Sequence, residues 1–255
     1  MKTVIGNWKM HLGIRESVAL ARGIVHALRG KEQIPELVVC PSFTALSEVN
    51  KVFARSRVSL GAQDVGFDRV GPYTGAISTT MLTDVGCQYV IVGHSERRRF
   101  FGETNELVAR KLESIFDSKL TPIFCVGESF SHQAGDAEKE VQKQLDCLRE
   151  ADFPKNKKMI IAYEPVWSVG TGKPAAIHAT IDMIDHIREL LISRFGISEA
   201  NLRIVYGGSI DPKNAHQYLR ESAIDGVMVG GESIRLQSFE KIIETAVEVI
   251  TAQST

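Results

Sequence analysis

Glu164 stands immediately after a short apolar run, Met159–Ala162 closed by Tyr163, that reads as a buried parallel strand. A carboxylate is therefore delivered at the C-terminal end of a strand, and Pro165 restricts the backbone of Glu164 to extended conformations. The residues that follow, Val166 to Lys173, are apolar at the start and glycine-rich at the tip. Trp167 can anchor one end of such a flap, while Gly170 and Gly172 let its backbone approach a ligand closely. A positioned base beneath a closable lid suits chemistry that must exclude water. An ordinary strand-to-helix loop needs neither the Trp nor the paired glycines.

A second candidate is His94, which precedes Ser95-Glu96-Arg97-Arg98. Ser95 is the expected cap of a short helix there. The positive end of that helix disfavours protonating the imidazole. A neutral ring can then donate a hydrogen bond to a substrate oxygen. Lys9 offers a fixed cation, which counts for more in a dry site. His178, Asp182 and His186 share helical spacing but read as a solvated face, and no metal site is expected.

The elements that must position these groups are short β-branched runs: Thr3–Ile5, Leu37–Cys40, Val58–Gly61, Tyr89–Val92, Pro122–Val126, Met159–Tyr163, Leu202–Tyr206 and Gly226–Val229. Helical patterns lie between most of them. Ile177, Ile181, Ile184 and Leu191 keep a 3.6-residue period after Pro174, and Val108, Leu112, Ile115 and Phe116 do so behind Thr104, an expected N-cap. Continuous apolar strands alternating with helices imply a parallel sheet covered by helices. Eight such units fit an α/β fold, a closed (β/α)8 barrel, with residues 1–255 as a single domain. The rival doubly wound sheet lacks its G-x-G-x-x-G turn after the first strand. Asn7, Lys9, His94, Glu164, Ser209 and Gly230 all stand at or after the ends of expected strands. In a barrel they would converge on one mouth.

Composition excludes several classes. The chain has 255 residues, 44% hydrophobic and 24% charged, with a formal net charge of −1, which suits a globular protein with a sizeable core. Near-neutral charge argues against nucleic acid as a partner. The basic runs Arg97–Arg99 and Lys155, Lys157, Lys158 are short and read as a solvated face or an interface. Cys40, Cys87, Cys125 and Cys147 show no C-x-x-C spacing, so free thiols in a reducing cytoplasm are expected. No apolar run approaches the roughly 18 residues of a membrane span, and no signal-peptide pattern opens the chain.

The stretch Ala162–Lys173 is joined by Gly-Asn-Trp-Lys-Met at 6–10, Gly-His-Ser-Glu-Arg-Arg at 93–98, Tyr-Gly-Gly-Ser at 206–209 and Val-Gly-Gly at 229–231. With these five motifs in register, the chain resembles the triosephosphate isomerase family from end to end. The resemblance implies interconversion of dihydroxyacetone phosphate and glyceraldehyde 3-phosphate through an enediolate, in glycolysis and gluconeogenesis, with no cofactor. Glu164 becomes the base, its proton affinity expected to rise under the closed lid. His94 and Lys9 become electrophiles, with Asn7 holding Lys9 and the substrate oxygens. Glu96 is implied as a carboxylate supporting Lys9, Cys125 as a pocket residue near Glu164 that is no nucleophile, and Tyr206 as a partner of the closed lid. Backbone N–H groups of Gly170, Ser209, Gly230 and Gly231 are the implied phosphate donors, aided by a short helix starting near Gly231. Gly-Gly pairs after the last two strands match the recurrent phosphate site of barrels.

A homodimer is implied too. Gly71-Pro72-Tyr73-Thr74-Gly75 resembles the family's interface loop, whose Thr enters the other subunit, with Glu103 pairing Arg97 near that contact and His11 at its edge. The chain departs from the family pattern at His11 (usually Asn), Ala76 (often Glu) and Glu232 (usually a small residue). Glu232 would oppose a dianion, so it is expected to turn toward solvent or a basic neighbour. Two alternatives are an isomerase of a tetrulose phosphate and a catalytically silent paralogue. Val166-Trp167-Ser168-Val169 and Asn7 weigh against the first, and the joint presence of Lys9, His94 and Glu164 against the second.

Overall fold

The computed structural model describes residues 1–129, 135–154 and 156–253. Lys155 of the second basic run lies outside them. Eight parallel strands close a barrel in sequence order: β1 (Thr3–Asn7), β2 (Glu36–Cys40), β3 (Val58–Ala62), β4 (Tyr89–Val92), β5 (Thr121–Val126), β6 (Met159–Tyr163), β7 (Leu202–Tyr206) and β8 (Gly226–Val229). β1 closes the ring by pairing with both β2 and β8. The connections carry α1 (Ile14–Ala27), α2 (Leu46–Phe53), α3 (Thr79–Val85), α4 (Ser95–Phe101), α5 (Asn105–Phe116), α6 (Asp136–Leu145), α7 (Cys147–Glu150), α8 (Ile177–Phe195), α9 (Ala215–Leu219) and α10 (Leu236–Ala252).

Strand alternation sorts the core into two layers. Ile5, Val38, Cys40, Ile91, Ile123, Cys125, Ile160, Ala162, Val205 and Met228 form one buried cluster, which fills the barrel. Their strand neighbours, such as Val4, Leu37, Val90, Phe124 and Ile204, pack outward with the helices in the larger cluster. Both strand faces are thus apolar, which is why the strands read as unbroken runs. The expected helix seams behave accordingly. Ile184 and Leu191 are fully buried on α8, whereas Ile177 and Ile181 pack partly buried at its start. Thr104 caps α5, its side chain accepting the Leu107 N–H at 3.3 Å.

Among the described residues no helix is long and apolar enough to cross a membrane, and no group of three or more His, Cys, Asp or Glu could hold a metal ion. The four cysteines are buried free thiols. Residues 69–76 form an exposed loop whose base is pinned by the Gly66 N–H donating to the Ile77 carbonyl at 2.7 Å.

Candidate active site

The C-terminal ends of the strands open into a pocket of about 240 Å³ whose walls include Asn7, Lys9, His94, Glu164, Gly170, Ser209, Gly230 and Gly231. Every residue expected to touch substrate meets there, although β1 and β8 are more than 200 positions apart in the chain.

Lys9, two residues beyond the end of β1, adopts φ 49°, a left-handed conformation that costs a residue with a Cβ about 1 kcal/mol. Three contacts hold it. Its N–H donates to Asn7 Oδ1 at 3.1 Å, its carbonyl accepts from Gln63 Nε2 at 2.8 Å, and its Nζ meets Glu96 Oε1 at 2.6 Å. Asn7 and Glu96 therefore sit where expected.

The N-terminus of α4 differs from expectation. His94, not Ser95, is the N-cap, with its own Nδ1 accepting the Glu96 N–H at 3.1 Å. Sequence preference favours Ser at a cap, but β4 ends so close to the helix that His94 occupies the extended capping position. An acceptor at Nδ1 places the proton of a neutral ring on Nε2, which faces Glu164 Oε1 at 3.0 Å. Ser95, freed from capping, donates its backbone N–H to Glu164 Oε2 at 3.1 Å.

Glu164 is 1% exposed. Burial alone pushes its carboxyl up, as expected. The His94 imidazole, the Ser95 N–H and the Lys9 ammonium together outweigh that burial and hold it below the ordinary glutamate value. These partners, which stand after β1 and β4, hold the carboxylate ionised here, while the expected rise concerns the closed lid. Gly127 is required beside it, since a Cβ there would lie 1.7 Å from the Glu164 carbonyl.

Cys125 is buried at the end of β5 but lines a neighbouring cavity of about 270 Å³ behind Glu164, with Ser95 and Arg98, not the pocket holding Lys9. Burial and the Glu164 charge push its thiol well above the usual cysteine value, as fits a residue that is no nucleophile.

The lid runs from buried Ser168 through an exposed tip to buried Ala175. Gly170 and Gly172 have φ 71° and 73°, so the tip needs glycine at both positions. Trp167 anchors one end by donating Nε1–H to Glu128 Oε1 at 3.0 Å. Tyr206 at the end of β7 grips the other, its hydroxyl accepting the Ala175 N–H at 2.9 Å and lying 3.4 Å from Ser168 Oγ. Two residues not singled out from sequence complete the lid's footing. Glu128 also accepts from Tyr163 at 3.2 Å, and Ser168, with no exposure, donates to the Lys173 carbonyl at 2.9 Å. Glu128 follows the end of β5, so its strand-end position was the signal that could have found it.

At the far end of the pocket, Gly231–Ile234 form the expected helical turn, a 3₁₀ turn. Glu232 lines the pocket, yet its carboxylate pairs with Arg235 Nη1 at 3.2 Å. It has found a basic neighbour without leaving the wall. Beside α4, Arg97 Nε meets Glu103 Oε1 at 2.6 Å and its Nη2 meets Asp64 at 2.9 Å. Lys111 bonds both acids, reaching Asp64 at 2.7 Å. Burial pushes the Asp64 carboxyl up against the pull of Lys111, whereas Glu103, facing the same burial, is held down by Lys111 and Arg97. Thr74 and His11 are exposed.

Comparison with known proteins agrees with the barrel fold. A family model described as triosephosphate isomerase matches residues 2–246. The triosephosphate isomerase of Thermoanaerobacter sp. (strain X514) is 42% identical over 243 residues, 94% of this chain and 97% of that protein. That of Magnetococcus marinus is 42% identical over 246 residues, 94% and 96% of the two chains. The crystal structure of triosephosphate isomerase from Bartonella henselae superposes with a TM-score of 0.84 at 32% identity, covering 96% of this chain and 98% of that one.

Proposed function

The chain belongs to the triosephosphate isomerase family, and we propose that it interconverts dihydroxyacetone phosphate and D-glyceraldehyde 3-phosphate in glycolysis and gluconeogenesis. One observation carries the reading: Lys9, His94 and Glu164 wall the same pocket as the turns bearing Gly170, Ser209, Gly230 and Gly231. A base, two electrophiles and a cluster of backbone N–H groups are what proton transfer on a small phosphate ester requires.

Glu164 takes a carbon-bound proton and returns it to the neighbouring carbon. Its ionised state readies it for the first transfer. The developing enediolate charge meets the Nε2–H of His94 and the Lys9 ammonium. Backbone N–H groups around Gly170, Ser209, Gly230 and Gly231 take the phosphate, with the 3₁₀ turn aiming its positive end at the dianion. Closure of the lid between Trp167 and Tyr206 strengthens each of these interactions by excluding water. The reaction moves a proton between adjacent carbons without net oxidation, so it calls for no redox cofactor.

The functional unit in this reading is a homodimer of single-domain barrels in the cytoplasm. Its support is the exposed loop at 69–76, together with exposed apolar side chains at Met10 (95%), Val70 (89%) and Phe101 (69%). Thr74 of one subunit would steady Lys9 and His94 of the other. The deciding experiment is a coupled assay: glyceraldehyde 3-phosphate supplied alone should yield dihydroxyacetone phosphate, and a tetrulose phosphate should not turn over. A folded protein that leaves glyceraldehyde 3-phosphate unchanged would overturn the assignment.

A further inference from the structure

Three acidic residues, Glu164, Asp211 and Glu232, are among the described residues that line the pocket, and Lys9 is the one lysine or arginine among them. Lys9 already spends part of its charge on Glu96 at 2.6 Å. Such a wall would repel a dianion unless each acid were neutralised where it stands. Glu164 is held by the Ser95 N–H and His94. Asp211 Oδ1 accepts the backbone N–H groups of Lys213 at 2.7 Å and Asn214 at 3.0 Å. Both arrangements are built into the fold.

Glu232 is different. It sits at the phosphate end, beside Gly230 and Gly231, and its partner is the Arg235 guanidinium at 3.2 Å, three residues on. The Arg235 side chain is 72% exposed and that of Glu232 26%. An exposed pair of this kind contributes little to folding stability. Its charge balance nevertheless falls on the spot where the substrate's two negative charges must arrive.

We propose that Arg235 is a binding determinant of this enzyme, the counter-ion that holds Glu232 off the phosphate and cancels its charge, so that dianion affinity depends on the Glu232–Arg235 pair. The proposal rests on the phosphate site assigned above. It predicts that losing Arg235 is worse than losing both members. Without the guanidinium, Glu232 faces the dianion uncompensated. Without either, the pocket carries no added charge.

The test is a double-mutant cycle read as KM against kcat, with inorganic phosphate as a competitive inhibitor. Arg235→Gln should raise KM and the phosphate inhibition constant by about five- to tenfold, the scale of one unit charge acting on another at a few ångströms in water, while kcat stays within about twofold. Arg235→Lys keeps the charge and should stay within about twofold of wild type in KM, and Glu232→Gln within about threefold. The double variant should return KM to within about threefold of wild type. Additive effects, or an Arg235→Gln variant with unchanged KM and phosphate inhibition, would overturn the proposal. Failure of inorganic phosphate to compete in the wild-type enzyme would instead reject the phosphate site itself. Since Arg235 is so exposed, unchanged circular dichroism and melting should accompany every variant.

Discussion

Replacing Glu164 by Gln removes the charge and basicity of one buried group while keeping its shape. The amide oxygen can still accept the Ser95 N–H that now reaches Oε2 at 3.1 Å, which keeps the loop after β6 in place, while the NH2 replaces Oε1 as a donor facing His94 Nε2 and obliges that ring to turn. General base catalysis commonly contributes 10²–10⁴ in rate. The upper part of that range applies here because no other carboxylate can take over. Glu96 is tied to Lys9 at 2.6 Å, Asp211 to backbone N–H groups and Glu232 to Arg235 at 3.2 Å, and water has little access to a residue 1% exposed. The expected loss is at least about a thousandfold in kcat, roughly 4 kcal/mol of barrier, with KM changed only a few-fold. The same coupled assay gives a second readout. The ratio of wild-type to variant kcat/KM cancels ionisation of the substrate phosphate and leaves that of Glu164. A carboxyl held below its ordinary value stays ionised as pH falls, and is lost as a base only when pH drops through that lowered value. The ratio should therefore stay flat down to the ordinary glutamate value of 4.5 and decline below it. Turnover near wild type would reject Glu164 as the base, and a ratio already falling near neutrality would show that burial, not its partners, dominates.

Deleting Val169–Gly172 should slow isomerisation and raise release of inorganic phosphate, because an unprotected enediolate can eliminate its phosphate; a deletion variant that isomerises normally without extra phosphate would refute the gating role. Sedimentation at micromolar concentration should show a species near twice 28.1 kDa, and full activity in a strictly monomeric sample would refute support of Lys9 and His94 across the interface. Lys111→Met should destabilise the fold by about 1.5–3 kcal/mol in urea unfolding, since Asp64 and Glu103 lose their buried charged donor and keep Arg97 as their shared cation. Glu103 is held below its ordinary value of 4.5, so its stabilising contribution is present above that value and lost as pH falls through the lowered one. The stability gap between wild type and Glu103→Gln should accordingly shrink in acid, and a gap that widened there would contradict the assigned partners.

The barrel was legible because its signal is local. Each strand is a short apolar run bounded by Gly, Pro or polar residues, and the observed β4, β6, β7 and β8 share both ends with the runs read from sequence. β1 extends two residues further, to Asn7, because its pairing with β2 continues through Cys40. The residues lining the pocket were legible for a related reason. They stand at strand ends, and a closed parallel barrel turns strand ends into neighbours. What sequence could not supply is the state of those residues once assembled. The left-handed turn at Lys9 depends on Gln63, 54 positions away. The capping role passed from Ser95 to His94 through the geometry of one strand end. Glu164 shows the point most clearly. Its burial is predictable from its position, and burial alone argues for a raised carboxyl. Three partners reverse the sign, one from the loop after β1 and two from the start of α4, the Ser95 N–H being 69 residues distant. Motif and periodicity identify a strand-end carboxylate, but its protonation is decided by contacts that exist only in the closed ring.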